Sequence, residues 1–302
     1  MSEEQLPCRS SEVSFPCSGV GCARTRFAPS PSGLLHLGHA YSALIAWDAA
    51  GRNREQFILR IEDIDSTRCK VEFEDAIYED LNWLGMEWCL PVMRQSERLD
   101  AYAAGLQKLQ SLDVVYPCFC TRREIQEEIA RSANAPHGPD GALYPGICRA
   151  LAKAERNARL QSGEPHAWRL DSSAAISCTG PLQWTDQSRG SIDVDPALFG
   201  DVVIARKDIG TSYHLAVVID DAAQSIELIT RGEDLFHATH VHRILQELLG
   251  LPVPKWNHHA LIADENGERL AKRNDARAVR AYRDAGMPPE QVVQLAKGSP
   301  TS

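Results

Sequence analysis

The chain has 302 residues and a formal net charge of −9, with 43% hydrophobic and 24% charged residues. This length predicts about two domains with a buried core, and the composition is typical of a soluble globular protein. No apolar run approaches the roughly 20 residues that cross a bilayer, and the N-terminus lacks the layout of a signal peptide, so a cytoplasmic location is expected. The negative charge argues against a protein that coats nucleic acid through a basic surface.

The charge is unevenly distributed along the sequence. Residues 62–80 contain eight carboxylates against two cations, whereas residues 269–283 contain six cations against Asp275. An acidic chain of this kind can still have a basic working face.

The first part of the sequence alternates strand and helix patterns. A short strand from Arg24 ends at two prolines, and a helix then runs from about Leu37 until Gly51 ends it. A mostly apolar strand at 56–65 precedes a helix over 71–84, whose apolar residues share one face. This order of elements predicts a parallel sheet with right-handed crossovers.

The alternation is interrupted after a further helix at about 96–110. Residues 116–196 contain many turn residues, a Cys-x-Cys pair and strand-like pieces at 167–170 and 174–178, and we interpret them as an insertion. The later elements are predicted as strands at 201–206, 213–220, 225–230 and 256–262, with a helix over 236–249. The simplest architecture is an α/β fold in which a Rossmann-type parallel sheet is split by an insertion.

The strongest chemical signal is the block from Arg26 to His39, where a strand ends in Pro-Ser-Pro-Ser-Gly and a helix opens on His-Leu-Gly-His. A helix N-terminus presents unpaired N–H groups and the positive end of its dipole, which favour phosphate. His36 and His39 share one face, and Gly38 lets a flat group approach the backbone. The block predicts a nucleotide site in which two histidines donate to the α-phosphate.

These motifs together resemble the class I aminoacyl-tRNA synthetases in their glutamyl form. The resemblance is carried by Arg26-Phe-Ala-Pro-Ser-Pro-Ser-Gly33, His36-Leu-Gly-His39 and Arg60-Ile-Glu-Asp-Ile-Asp65, and continues through 204–221, Thr230–Leu235 and Arg269–Asn274. It covers roughly residues 24–280. It implies a class I catalytic core that activates glutamate with Mg²⁺ and ATP.

The lysine signature of that family, Lys-Met-Ser-Lys-Ser, corresponds here to Arg269-Leu-Ala-Lys272-Arg273. Its first lysine and its last serine are both replaced by arginine. The resemblance makes Lys272 the mobile cation that stabilises charge on the departing pyrophosphate, whereas the segment in isolation is typical of a solvated basic loop. The implied ATP-binding residues are His36, Gly38, His39 and Lys272, and the catalytic ones are His36, His39 and Lys272.

The amino-acid pocket can be argued from the charges of glutamate, which has two carboxylates and one ammonium. Guanidinium groups suit the carboxylates because they offer a planar fork of donors, a hydroxyl can donate as well, and a carboxylate can hold the ammonium. The resemblance implies a pocket formed by Arg26, Phe27, Ala28, Pro29, Ser30, Glu62, Tyr213 and Arg231. Within it, Glu62 would hold the ammonium, and Tyr213, at the start of a predicted strand, would close the pocket.

Cys118, Cys120 and Cys148 have the spacing of a local pair and a distant partner that is expected of structural zinc. On chemistry alone the fourth ligand is His137, Tyr144 or water. The pattern Cys-x-Cys followed by Tyr144-Pro-Gly-Ile-Cys148 resembles the zinc site of glutamyl-Q tRNA(Asp) synthetases, whose fourth ligand is that tyrosine. The implied ligands are Cys118, Cys120, Tyr144 and Cys148.

The chain length suggests which branch of the family it resembles. About thirty residues follow Lys272, where a full glutamyl-tRNA synthetase adds a large helical anticodon-binding region. Glutamyl-Q tRNA(Asp) synthetases lack that region. The resemblance therefore implies a monomer that transfers glutamate to the queuosine base in the anticodon loop of tRNA(Asp).

Three other functions stay open. The chain could be a truncated glutamyl-tRNA synthetase that charges tRNA(Glu), a class I-like ligase that makes a small-molecule amide, or a non-catalytic RNA-binding paralogue, which the altered lysine signature would fit.

The predicted organisation has five segments. They are a disordered extension (1–22), the first half of a Rossmann catalytic domain (23–115), a zinc-binding, acceptor-like insertion (116–196), the second half of the catalytic domain (197–254), and the lysine-signature loop with a C-terminal helical segment (255–302).

Overall fold

The computed structural model describes residues 22–131, 137–138, 141–262 and 278–297. Its strands are β1 (Thr25–Phe27), β2 (Phe57–Ile61), β3 (Met93–Arg94), β4 (Val115–Cys118), β5 (His137–Gly138), β6 (Gly141–Ala142), β7 (Ala167–Leu170), β8 (Gln183–Asp186), β9 (Gly190–Asp193), β10 (Val203–Ala205), β11 (Leu228–Gly232) and β12 (Lys255–His259). Its α-helices are α1 (Leu37–Ala49), α2 (Val71–Trp83), α3 (Leu99–Ser111), α4 (Arg122–Arg131), α5 (Lys153–Gln161), α6 (Ser172–Thr179), α7 (Tyr213–Ala223), α8 (Ala238–Leu249), α9 (Val279–Asp284) and α10 (Pro289–Lys297). Among the described residues, no helix has both the length and the apolar character needed to span a membrane.

The chain divides into two units, of which the first comprises Met1–Glu97, Gln224–Asp234 and Pro254–Ser302. Strands β3, β2, β1, β11 and β12 lie side by side in that order, and each neighbouring pair is parallel. Helix α1 packs on β1 and β11, and α10 packs on α1. The parallel sheet predicted from the alternation of strands and helices is confirmed.

The core of this first unit follows directly from the apolar pattern of its elements. All five residues of β2 are buried, as expected for a strand covered on both faces. Of the helical face predicted from Phe73, Ile77, Leu81 and Leu84, the last three are buried in the same cluster, together with Val292 of α10, and Phe73 is half-buried. Burial of each such side chain contributes about 2 kcal/mol to stability.

The second unit comprises Arg98–Ala223 and Leu235–Val253. It contains an antiparallel sheet in the order β10-β7-β4 and an antiparallel hairpin of β8 and β9. Helix α7 packs against α3 and α8, and α6 packs against α8. This division by contacts does not follow the boundaries expected at 115/116 and 196/197, which stay a prediction.

Two predicted strands are wrong. Residues predicted as the strand 213–220 form helix α7, and the strand-like piece 174–178 lies within helix α6. Helix α7 is buried on most of its circumference. Its apolar residues are therefore consecutive and not spaced at helical intervals, and such a run is typical of a buried strand as well. Helix α6 begins because the Asp171 carboxylate accepts a hydrogen bond from the N–H of Ala174 at 3.0 Å, a typical N-cap.

Candidate active site and cysteine cluster

The predicted amino-acid pocket lies at the carboxyl ends of β1, β2 and β11 in the first unit. Because these strands are parallel neighbours, the segments that follow them meet at one edge of the sheet, where ligands bind in open α/β folds. The N–H of Glu62, just after β2, donates to the carbonyl of Pro29, just after β1, at 3.0 Å. Phe27 and Pro29 are buried, Ala28 is half-buried and Ser30 is exposed.

The two predicted carboxylate-binding arginines lie on β1 and β11 and are almost fully buried. Arg26 Nη1 donates to the carbonyl of Thr230 at 3.1 Å, which links the two strands. Arg231 Nε donates to His258 Nε2 at 3.1 Å. Both guanidinium groups are therefore held by partners within the first unit.

His258 was not among the predicted site residues. No local pattern marks it, because Arg231 and His258 meet only as partner positions on the parallel strands β11 and β12. Its Nε2 accepts a hydrogen bond, so the ring proton of a neutral His258 resides on Nδ1. His258 is thus an acceptor that fixes the guanidinium of Arg231.

Glu62 was predicted to hold an ammonium, and its carboxylate is paired with an arginine. Arg60 Nη2 lies 3.1 Å from Glu62 Oε1, and Arg60 Nη1 donates to Gln224 Oε1 at 2.9 Å. The Arg60 side chain is fully buried and that of Glu62 is 11% exposed. Arg60 begins the motif Arg60–Asp65, and no role was predicted for it.

The histidine block, His36-Leu-Gly-His39, begins α1 as predicted, and its two histidine rings also cap the helix. The Nδ1 atom of His36 accepts from the N–H of Gly38 at 3.1 Å, and Nδ1 of His39 accepts from the N–H of His36 at 3.2 Å. The ring centroids are 3.8 Å apart. Because each Nδ1 is an acceptor, both neutral rings carry their proton on Nε2.

A second histidine at this sheet edge was also missed. His259 Nδ1 contacts the carbonyl of Ala260 at 2.9 Å, so this nitrogen donates, and Nε2 then accepts from the Ser42 hydroxyl at 3.0 Å. Burial lowers the pKa of His259 below its usual value. This neutral ring ties the end of β12 to α1.

Two predicted residues are not brought to this sheet edge by the described part of the first unit. Tyr213 begins helix α7 of the second unit, where its ring lies 5.5 Å from those of His214 and His242. Lys272 and its signature, 269–273, lie outside the described residues. The roles of both residues stay predictions.

The cysteine cluster forms in the second unit. The Sγ atoms of Cys118, Cys120 and Cys148 lie within 4.8 Å of one another, and those of Cys120 and Cys148 are 3.4 Å apart. The Tyr144 hydroxyl lies 3.4 Å from Cys118 Sγ and 3.5 Å from Cys120 Sγ. The side chain of His137, the alternative fourth ligand, lies outside the described residues.

The geometry and charges of the cluster fit zinc. Tetrahedral coordination with Zn–S of about 2.3 Å and Zn–O of about 2.0 Å places sulfur and oxygen ligands about 3.5 Å apart and two sulfurs about 3.8 Å apart. Hydrogen bonds from Cys148 and Tyr144 and the charge of Arg169 lower the pKa of the Cys118 thiol, whereas the hydrogen bond to Cys118 and burial raise the pKa of the Cys148 thiol. Burial and the bond to Cys118 raise the pKa of Tyr144, so a phenolate ligand would require the charge of the metal.

Comparison with known proteins gives one family for nearly the whole chain. The family described as tRNA synthetases class I (E and Q), catalytic domain, matches residues 23–297. A Rhodobacter capsulatus protein named Glutamyl-Q tRNA(Asp) synthetase is 48% identical over 276 residues, which are 90% of this chain and 98% of that protein. An Aquifex aeolicus glutamate–tRNA ligase is 40% identical over 89% of this chain and 55% of its own length.

A solved structure has the same fold. The glutamate tRNA ligase of Elizabethkingia meningosepticum, in complex with its amino acid, matches with a TM-score of 0.76 and 28% identity. The match covers 91% of this chain, which spans 60% of the length of that ligase. The chain therefore belongs to the class I tRNA synthetases of the glutamate and glutamine group, through their catalytic domain.

Proposed function

We propose that this protein activates glutamate with ATP and Mg²⁺ and transfers it to the queuosine base in the anticodon loop of tRNA(Asp). The observation that carries the proposal is the Tyr144 phenol among Cys118, Cys120 and Cys148, the arrangement that the resemblance to glutamyl-Q tRNA(Asp) synthetases implies for zinc. The 48% identity to the Rhodobacter capsulatus relative, along 98% of its length, supports the same choice.

In the first step the glutamate α-carboxylate attacks the α-phosphorus of ATP, and the bond to pyrophosphate breaks in line. The Nε2 protons of His36 and His39, fixed by the two Nδ1 caps, donate to the phosphate oxygens as charge grows on them. Lys272 would stabilise the departing pyrophosphate. The products are glutamyl-adenylate and pyrophosphate.

The charges of the pocket orient glutamate for that attack. Arg26 and Arg231 supply donors for its carboxylates, and their anchoring to Thr230 and His258 keeps the guanidiniums in place. Glu62 accepts the ammonium. Ser30 would donate its hydroxyl, and Tyr213 would close the pocket.

In the second step a hydroxyl of the queuosine cyclopentenediol attacks the activated carbonyl. An ester bond forms, the hydroxyl loses its proton, and AMP leaves as the anhydride bond breaks. Reaction with a single loop base requires that base to be splayed out and read by stacking and edge contacts. The second substrate would therefore be a modified base, reached in an exposed loop.

Zinc, when bound, would fix the segment after β4 by joining Cys118 and Cys120 to Tyr144 and Cys148. Its role would be structural, because Cys118, Cys120, Tyr144 and Cys148 would fill all four positions of a tetrahedral site. A catalytic zinc would keep one position open for water or substrate.

Incubation with labelled glutamate and ATP tests the proposal directly. Queuosine-containing tRNA(Asp), tRNA(Asp) lacking queuosine, and tRNA(Glu) are compared, and the labelled nucleotide is located after nuclease digestion. We expect label only in queuosine-containing tRNA(Asp), within the anticodon loop. Label on the 3′ end of tRNA(Glu) would overturn the proposal.

The second candidate is a glutamate–tRNA ligase that charges tRNA(Glu), which the 40% identity to the Aquifex aeolicus relative favours. Both candidates share the activation step and differ in the acceptor. The digestion experiment separates them because the two products carry label at opposite ends of the tRNA fold.

A further inference from the structure

We infer that Arg60 is a positioning residue for glutamate binding, which it supports by holding the carboxylate of Glu62 in place. This inference rests on the proposed function and deepens its amino-acid site. Arg60 Nη2 lies 3.1 Å from Glu62 Oε1, two residues further along the chain.

The location of Arg60 is unusual for an arginine. It lies within β2, whose residues are all buried, and its side chain has no exposed surface. A buried ion pair loses more solvation than an exposed one, and its replacement by apolar residues of similar volume is often neutral or stabilising. Fold stability alone therefore does not account for an arginine here, and a role in the site does.

The contacts of Arg60 are arranged to hold one carboxylate. Its Nη1 donates to Gln224 Oε1 at 2.9 Å. The guanidinium is thus fixed at Nη1, and its Nη2 reaches the carboxylate of Glu62. A carboxylate held in this way loses little rotamer freedom when it accepts an ammonium.

The backbone around Glu62 complements this pairing. Its N–H donates to the Pro29 carbonyl at 3.0 Å, so main chain and side chain of Glu62 are both anchored. Pro29 follows β1, in the loop that leads towards the histidine block. Loss of Arg60 would release the side chain while leaving the backbone bond intact, and the effect should fall on glutamate rather than ATP.

Arg24 supplies a matched control. Both arginines bond to Gln224, but Arg24 bonds to its backbone carbonyl and Arg60 bonds to its side chain, and Arg60 pairs with Glu62. Arg24→Met removes a guanidinium from the same neighbourhood without touching the Glu62 carboxylate contact. Arg60→Met and Arg60→Lys are the test variants.

Glutamate-dependent ATP–pyrophosphate exchange of the full chain is the assay. We expect Arg60→Met to raise KM for glutamate at least about tenfold, with KM for ATP within about twofold. Arg60→Lys should recover part of the loss, because an ammonium keeps the charge without the fork, and Arg24→Met should keep the wild-type KM for glutamate. The double variant of Arg60→Met and Glu62→Gln should lose no more than Glu62→Gln alone.

The outcomes separate the two proposals. Wild-type protein without glutamate-dependent exchange would overturn the proposed function, and the role of Arg60 with it. Wild-type exchange with an unchanged KM for glutamate in Arg60→Met, or additive losses in the double variant, would overturn the role of Arg60 alone. If Arg60→Met fails to fold, Arg60→Lys decides, because an unchanged KM there together with a lowered Tm indicates a purely structural arginine.

Discussion

At the scale of single residues, His36 combines two tasks in one ring. Its Nδ1 caps α1 by accepting from the N–H of Gly38, while the opposite nitrogen carries the proton that the proposed chemistry needs. The capping bond selects the tautomer, so the local structure of the helix start and the catalytic role are coupled. Substitutions can separate the two tasks.

His36→Asn is expected to keep the cap and lose the catalytic donor. An asparagine oxygen accepts from the backbone as well as Nδ1 does, so Tm should stay close to that of the wild type, whereas His36→Ala should cost about 1 kcal/mol of stability. Both variants should slow adenylate formation about 100-fold or more, because each removes one donor to the developing charge. Single-turnover kinetics with thermal unfolding measures both effects, and fast turnover in His36→Asn would exclude the Nε2 donor.

The cysteine cluster makes a second residue-scale prediction. We expect one zinc per chain, lost in Cys120→Ser, and a weaker affinity in Tyr144→Phe because the phenolate ligand is removed. Cys178→Ser is the matched control, since Cys178 is an exposed free thiol on α6. Elemental analysis and chelator competition give the values, and equal zinc affinity in Tyr144→Phe and wild type would assign the fourth position to another ligand.

At the scale of elements, the short helix α9 is tied to α2 by charge. Arg280 and Arg283 both contact Glu79, at 3.0 and 3.1 Å, and Arg283 also lies 3.2 Å from the buried Asp80. Burial outweighs Arg283 and raises the pKa of Asp80 to about 6, whereas the two arginines lower the pKa of Glu79. As the pH falls, the contribution of Asp80 to the free energy of unfolding should therefore increase and that of Glu79 should decrease.

The pH dependence of stability tests this packing. The folded state binds more protons at Asp80 than the unfolded state between about pH 4 and 6, so this group adds stability as the pH falls through that window and loses it as the pH rises. Asp80→Asn should remove about 2 kcal/mol of that pH dependence. The free energy of unfolding of the variant, relative to that of the wild type, should therefore be higher at pH 7.5 than at pH 4.5. Urea unfolding at both values gives the difference, and Glu79→Gln should shift it with the opposite sign.

The sequence predicted elements correctly where the apolar residues followed a clear helical period, or where the contacts that begin a helix join residues close in sequence. Helix α2 ends within one residue of its expected bound, and the histidine block opens α1 as its capping chemistry requires. The prediction failed for α7, where an apolar run of Leu215, Val217 and Val218 is buried as a helix and was interpreted as a strand. His258 was invisible because strand register, a long-range property, brings it to Arg231. Gln224 was invisible because it is distant in sequence from Arg60 and meets it only in the folded chain.

At the scale of the whole molecule, the charge of −9 has to be reconciled with a polyanionic substrate. The basic segment 269–283 was predicted as a candidate working face, but Arg280 and Arg283, the two cations of its described part (278–283), form ion pairs with Glu79. Cations committed to carboxylates contribute little to phosphate binding. These two arginines should therefore contribute little to RNA binding, and with a net charge of −9 we predict a limited phosphate-binding face.

Salt dependence measures the number of those contacts. Each neutralised phosphate contributes about −0.7 to −0.9 to the slope of log affinity against log salt. Three or fewer contacts therefore predict that log(1/KM) for tRNA falls with a slope no steeper than about −3 between 50 and 200 mM KCl. Glutamate-dependent pyrophosphate exchange without tRNA serves as the control for salt effects on the activation step. Arg280→Ala should lower stability by breaking the contact with Glu79 and leave the tRNA slope unchanged. A slope of −6 or steeper would indicate an extended basic surface and contradict binding over a limited face.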